Sequence, residues 1–311
     1  MTGQGTPRSW LAGLIGQGVG PSLTPELHER EAQRQGLRYV YKVVEQPSGP
    51  PDRARLERLL AAAIELGFDG LNVTHPVKQA MVPLVDEVDS AVESIGALNT
   101  VLIRGGRTTG HNTDVTGFLQ AFELGLPDVD RDSVLLLGAG GAGTAVAHAL
   151  VQLGVQRLLV VEPDQQRAEV LRRSLGALPI KVELAEVSRS GLSDALATSS
   201  GVVNASPMGM AAHPGSPVPD GLLRQDLWLA DIVYRPIDTP LLRAAREAGC
   251  TVLNGAGMAV HQAADAFELI TGRPADRTAM TRDFDDLVAA EATRGPSAMD
   301  PPRDKTGERN S

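Results

Sequence analysis

Val134-Leu135-Leu136-Leu137-Gly138-Ala139-Gly140-Gly141-Ala142-Gly143 decides the fold. The continuous apolar run Val134–Leu137 has the length of a strand buried on both faces. Glycine then recurs as G-x-G-x-x-G, and from Thr144 onward Val146, Ala149, Leu150 and Leu153 share one helical face. Strand, glycine turn and helix in that order turn an otherwise weak motif into a dinucleotide signal. Gly138 permits the tight turn and Gly140 lets the backbone approach a pyrophosphate seated on the positive end of the helix. Gly143 lets that helix pack on the strand, and Ala139, Gly141 and Ala142 complete the cradle. Beyond the next apolar run, Leu158–Val161, stands Glu162, where an acid accepts hydrogen bonds from the adenine-ribose hydroxyls of NAD. The same charge repels a 2′-phosphate, as does Asp164, and Pro163 takes the place of an NADP-binding arginine. Arg167 is the nearest cation, and Asp164 reads equally well as the cap of the next helix.

Outward from this loop, Val182–Leu184, Val202–Asn204 and Trp228–Val233 read as further strands with helical segments between them, as in a doubly wound parallel sheet. The first third alternates in the same way. Leu11–Ile15 is a strand, Thr24 caps a helix with Pro25 first and Gly36 past its end, and Tyr39–Val44 is a strand. Asp52–Leu66 is a helix closed by Gly67, Leu71–Val73 a short strand, Asp89–Ile95 helical, Asn99–Ile103 a strand and Gly105-Gly106 a hairpin turn. Helices over Met258–Thr271 and Arg277–Ala290 are expected to pack back on the first domain. The expected fold is α/β: an N-terminal α/β domain (1–117 with 255–292), an inserted Rossmann-type domain (118–254), and a disordered, Pro- and charge-rich tail (293–311).

The gross composition narrows the function. At 311 residues the chain has the length of two domains, and only 3% of it is aromatic, so aliphatic side chains fill the core. A net charge of −9 argues against a nucleic-acid surface, which needs clustered Lys and Arg. A single cysteine, Cys250, leaves no intrachain disulfide and fits a reducing cytosol. The six histidines show no metal-ligand spacing, so no metal is expected, and no apolar run has membrane-spanning length. The sequence reads as a soluble, cytoplasmic protein acting on a small molecule.

A second group of polar residues lies outside the dinucleotide loop: Asn72-Val73-Thr74-His75-Pro76-Val77-Lys78, Asn99-Thr100 after Gly96-Ala97-Leu98, and Asn112-Thr113-Asp114 before a helix. Each alone has an ordinary structural reading: a solvated lysine, a turn former, a first-turn acid. Together with Gly13-Leu14-Ile15-Gly16, Ser22-Leu23-Thr24-Pro25, Asn204-Ala205-Ser206-Pro207-Met208-Gly209-Met210, Asp231-Ile232-Val233-Tyr234 and Gln262-Ala263-Ala264-Asp265-Ala266-Phe267, they make the chain resemble the shikimate dehydrogenases over roughly residues 11 to 290. Two departures from the common biosynthetic pattern stand out. Pro21-Ser22-Leu23-Thr24-Pro25 replaces a His-Ser-x-Ser-Pro segment, and Glu162-Pro163-Asp164 replaces an Asn-Arg-Thr that holds the NADP phosphate. Both, with Ala211-Ala212-His213-Pro214-Gly215, look like the NAD-using quinate/shikimate branch.

The resemblance implies a dehydrogenase in which Lys78, paired with Asp114, moves the proton. Ser22 and Thr24, with Tyr234, would receive the substrate carboxylate, while Thr74, Asn99 and Gln262 with Lys78 and Asp114 would bind the ring hydroxyls. Asn204, Ser206, Met208 and Gly255 would lie at the nicotinamide, Thr24 serving also as helix cap and Met208 reading equally as core filling. Domain closure would bring Lys78 to the cofactor. Three other readings stay open: an NADP-linked biosynthetic enzyme, an aminoquinate or aminoshikimate dehydrogenase, and a non-catalytic dinucleotide sensor. Intact Lys78 and Asp114 speak against the sensor. Oligomeric state is not legible, although family members are often homodimers.

Overall fold

In the computed structural model, which describes residues 8–294, two six-stranded sheets follow one another along the chain. The second sheet holds β7 (Ser133–Leu137), β8 (Arg157–Val161), β9 (Lys181–Leu184), β10 (Gly201–Asn204), β11 (Trp228–Asp231) and β12 (Thr251–Leu253), with α5 (Gly141–Gln152), α6 (Gln165–Leu175), α7 (Arg189–Ala197) and α8 (Pro240–Glu247) between strands. Every pairing is parallel, in the order β12-β11-β10-β7-β8-β9. This is the doubly wound order, with its switch point between β7 and β10. The apolar run of β7 is continuous because both its faces are covered. Val134 and Leu136 pack with Val146, Leu150 and Phe122 on one side, and Leu135 and Leu137 with Leu192, Leu196 and Leu241 on the other.

The first sheet is mixed. It consists of β1 (Ser9–Gly16), β2 (Arg38–Glu45), β3 (Gly70–Val73), β4 (Glu87–Val88), β5 (Thr100–Arg104) and β6 (Arg107–His111), in the order β2-β1-β3-β5-β6-β4. Helices α1 (Thr24–Arg34) and α2 (Arg53–Glu65) make the crossovers that leave β1 parallel to β2 and β3. β5 and β6 form the expected hairpin, and Gly105 and Gly106, at φ +57° and +81°, supply the two left-handed residues that its turn requires. Short α3 (Ser90–Ile95) is capped by the Asp89 side chain.

Three helices join the halves. α4 (Asp114–Gly125) packs against α5 and against α9 (Ala256–Thr271), and α9 with α10 (Arg277–Arg294) returns to α1. There Leu23 and Leu27 meet Ala259, Val260, Ala263, Met280 and Phe284, as the sequence led one to expect. The α4–α9 crossing is close because it runs over glycines. A Cβ on Gly117 would stand 3.0 Å from the Gln262 nitrogen, and one on Gly257 would stand 2.9 Å from the Ala121 Cβ. Side chains at the head of α4 and in the middle of α9 are thereby fixed relative to one another.

Some expected boundaries move. A division at 117–118 falls inside α4; the change of sheet occurs between His111 and Ser133. α5 begins at Gly141, inside the glycine motif, and not at Thr144. Leu23 occupies the cap position of α1 and no side chain caps that end, so Thr24 is the first helical residue and not the cap. Thr293 and Arg294 continue α10, and the rest of the expected tail lies outside the described residues. Among the described residues no helix is long and apolar enough to cross a membrane. No group of three or more His, Cys, Asp or Glu there is placed to hold a metal ion.

Candidate active site

The glycine loop leaves β7 at the switch point. Gly138 has φ +100°, and a Cβ there would lie 2.9 Å from the Ala205 carbonyl oxygen; one on Gly143 would lie 2.2 Å from the Gly138 oxygen. Both positions are closed to any side chain. Gly140 is the opposite case, since a Cβ there would meet nothing within 4 Å. The α5 terminus therefore faces open space over Gly140, and the first-turn N–H groups of Gly141, Ala142 and Gly143 have no acceptor within the helix. This cradle fits a dinucleotide pyrophosphate.

Glu162, at the end of β8, carries its carboxylate to the loop. It accepts from the Ala139 N–H at 2.7 Å and from the Asp164 N–H at 3.0 Å. Ala139 thus spends its donor on Glu162 and not on a phosphate. Asp164 caps α6, accepting from the N–H groups of Gln166 and Arg167, and its carboxylate lies 3.5 Å from the Arg167 guanidinium.

Beyond β10 the chain loops through Ser206 and Met208. Asn204 is fully buried behind this loop and does not reach its surface. Its amide donates to Asp231 at 2.9 Å and to the Met208 carbonyl at 3.1 Å, and its oxygen accepts from the Ser206 hydroxyl at 2.6 Å. Met208 is half-buried and outside the core clusters. Gly255 heads α9, where a Cβ would lie 2.6 Å from the Ile232 carbonyl oxygen, so it serves a close backbone approach.

The remaining polar residues gather on the other side of the cleft. Lys78, in the turn after β3, donates to Asp114 at 2.5 Å, where Asp114 is 1% exposed and the Lys78 side chain 15%. Asn99 donates to the other Asp114 oxygen at 3.0 Å and to the Thr113 hydroxyl at 2.9 Å. Thr113 in turn donates to the Gln262 carbonyl at 3.1 Å, so Gln262 joins the cluster through its backbone. Thr74 holds its turn by donating its N–H to Ile15 at 2.9 Å.

Ser22 and Thr24 stand together at the start of α1, the Thr24 N–H donating to the Ser22 hydroxyl at 3.3 Å. Tyr234 faces them. Burial pushes its phenol above the ordinary value and the Ser22 hydroxyl pulls it back. Arg235 holds this arrangement by donating to the Pro21 carbonyl and pairing with Glu291 at 2.7 Å.

The two sides come close at Gly141, where a Cβ would stand 3.6 Å from Cδ of Lys78 and 3.5 Å from Cβ of Ala97. Lys78 thus lies beside the dinucleotide loop. His75, in the turn before Lys78, is held below its ordinary value chiefly by burial and then by its neighbours Arg167, His213 and Lys78. A cavity of about 370 Å³ lies elsewhere, between Asp130, Ser200, Arg224 and Trp228 at the opposite, N-terminal ends of the parallel strands.

The chain is similar to known proteins over most of its length. The substrate-binding domain of shikimate dehydrogenase matches residues 14–101, and the shikimate 5′-dehydrogenase C-terminal domain matches residues 255–282. A shikimate dehydrogenase (NADP(+)) of Streptomyces avermitilis is 49% identical over 93% of this chain and 99% of its own length. The chain belongs to the shikimate dehydrogenase family. A quinate/shikimate dehydrogenase (NAD(+)) of Corynebacterium glutamicum is 48% identical over 89% of this chain and 98% of its own. A quinate dehydrogenase from Corynebacterium glutamicum, solved in complex with NAD, superposes with a TM-score of 0.79 at 47% identity, covering 89% of this chain and 99% of that one.

Sequence reasoning missed Thr113, which joins Asn99 to α9, and Asp231 with Thr239, which brace Asn204. Thr113 and Asp231 stand inside the quoted motifs. The signal for Asp231 was a lone acid within an apolar stretch, and that for Thr113 its place beside Asp114 in a polar run.

Proposed function

We propose that this member of the shikimate dehydrogenase family is an NAD-dependent oxidoreductase that interconverts shikimate or quinate with the corresponding 3-dehydro acid. The observation carrying the proposal is the close approach of Lys78, paired with Asp114, to Gly141 of the dinucleotide loop. A bound nicotinamide dinucleotide accepts or supplies the hydride. The half built on the first sheet, with α9, supplies the substrate contacts, and the half built on the second sheet supplies the cofactor contacts.

Oxidising a secondary alcohol requires a base at the hydroxyl proton, and reducing the ketone requires a donor at the same oxygen. Lys78 serves both directions. As an ammonium held by Asp114 it gives its proton to the carbonyl oxygen; as an amine it takes the proton back. Asp114 holds the lysine nitrogen at one place through both forms, and the Asn99 amide keeps the carboxylate turned towards it. The hydroxyls of Ser22 and Thr24, with the Tyr234 phenol, receive the substrate carboxylate. Because Thr24 makes no cap bond, its hydroxyl is not committed to α1. Thr74, Asn99 and Gln262 meet ring hydroxyls, and a ligand lacking one leaves a buried polar group unpaired.

The relatives carry both cofactor names at nearly equal identity, so overall similarity does not separate them. Glu162 favours NAD. Its carboxylate is anchored by two backbone donors at the place of the adenine ribose, Pro163 presents no cation, and Arg167 is engaged with Asp164. Purified protein given shikimate or quinate with each cofactor, followed by reduced-cofactor absorbance, tests the proposal. NAD is expected to exceed NADP in kcat/KM. Turnover of neither ring acid would sink the substrate assignment, and a preference for NADP would sink the role of Glu162.

A further inference from the structure

The Lys78–Asp114 pair terminates a longer chain of hydrogen bonds whose polarity is forced at every link. A carboxylate only accepts, so Asn99 must turn its NH₂ group towards Asp114. The Asn99 oxygen is then left for the Thr113 N–H at 2.8 Å and the Thr100 hydroxyl at 3.1 Å. Having donated there, the Thr100 hydroxyl accepts from the Asn72 amide at 3.1 Å. The Asn72 oxygen in turn accepts from the Tyr41 hydroxyl at 2.7 Å. Tyr41, Asn72, Thr100, Asn99 and Asp114 are all buried.

The sheet makes this chain possible. Asn72 pairs with Thr100 across β3 and β5, while Tyr41 pairs with Ala12 on the intervening β1. Ala12 stands two positions before Leu14, the partner of Asn72, so all these side chains share one face of the sheet. The short Ala12 side chain leaves the phenol room to reach over β1 to Asn72. Burial pushes the Tyr41 phenol well above its ordinary value, so it remains a donor throughout the working range.

We infer that Tyr41, acting through Asn72 and Thr100, is a positioning residue that fixes the Asn99 amide and with it the orientation of the Asp114 carboxylate towards Lys78. Aligned donors polarise one another, so removing the first weakens the last. The inference rests on the proposed role of Lys78 in proton transfer.

Tyr41→Phe keeps the ring and its packing and removes only the first donor; Thr100→Val breaks the chain midway with little change of shape. Each is expected to lower kcat about 3- to 10-fold, the size of one hydrogen bond, with KM for the ring acid within about twofold. The double variant should be no slower than the slower single one, because both cut the same chain. Unchanged kcat in both single variants, or losses that simply add, beside a Lys78→Ala enzyme that has lost turnover, would overturn this inference alone. A Lys78→Ala enzyme with normal kcat would overturn both it and the proton-transfer assignment.

Discussion

Among the described residues, each half buries one aspartate to the same depth, and the two are satisfied differently. Asp114, at the head of α4, meets the Lys78 ammonium and the Asn99 amide. Asp231, at the end of β11, meets only neutral donors: the Asn204 amide at 2.9 Å, the Val233 N–H at 3.0 Å and the Thr239 hydroxyl at 2.7 Å. Burial pushes Asp231 up to about 6, and its three donors only partly offset that. A buried carboxylate with an ammonium partner is equipped to exchange a proton with a third group at the same place. One with dipoles alone ties segments together, here the 204–208 loop, the end of β11 and the start of α8, and its charge is disfavoured.

The largest effect expected from breaking this contrast is at Lys78. Lys78→Ala removes the proton carrier, and kcat should fall by about 10²–10⁴ with a modest change in KM. Steady-state kinetics with the preferred ring acid decides it, and retention of most of kcat removes Lys78 from the chemistry.

The cofactor half offers a sharper separation between folding and binding. Gly143→Ala places a methyl group 2.2 Å from a backbone oxygen and should cost about 2 kcal/mol or more, read as a clear drop in Tm. Gly140→Ala meets nothing and has an ordinary φ of −72°, so Tm should hold. Its methyl group enters the cradle, however, and the dinucleotide KM should rise by about tenfold or more. An unchanged KM in Gly140→Ala would mean that the pyrophosphate lies elsewhere. Smaller again is Glu162→Gln, which keeps one acceptor for the loop and removes the charge. The NADP-to-NAD ratio of kcat/KM should rise about tenfold, and a ratio that does not move removes Glu162 from cofactor choice.

These contrasts were unevenly legible in the sequence. The parallel sheet announced itself because β7, β8 and β10 are buried on both faces and so read as unbroken apolar runs. β4, β6 and β12 did not: β4 is a two-residue strand, β12 has three residues, and the threonines and charges of β6 carry no apolar alternation. Lys78, Asp114 and Asn99 were visible as motif members, and their meeting followed from the family resemblance. The chain behind them was not visible. Tyr41, Asn72 and Thr100 become neighbours only through the order β2-β1-β3-β5, which no local pattern specifies. Asp231 was hidden for a related reason, since a buried acid at a strand end looks the same whether its partner is a lysine or a set of dipoles.

That difference has a pH signature. Asp231 has a folded value of about 6 against an ordinary 3.8, so its protonated form is the one that folding favours. Its contribution to stability is fully present below about pH 4 and is lost as pH rises through about 6. Between pH 5 and pH 8 this one group should withdraw on the order of 1 kcal/mol, most of it before pH 7. Asp231→Asn cannot titrate, so the difference in unfolding free energy between the two proteins isolates the group from every other ionisation. Denaturant unfolding at the two pH values should show the parent losing ground to the variant as pH rises. A difference that stays constant, or that moves in the parent's favour, would mean that the carboxylate is ionised at pH 5 in the folded chain. Asp231 would then have to be compensated as fully as Asp114, by a positive group that its three hydrogen-bond donors do not supply.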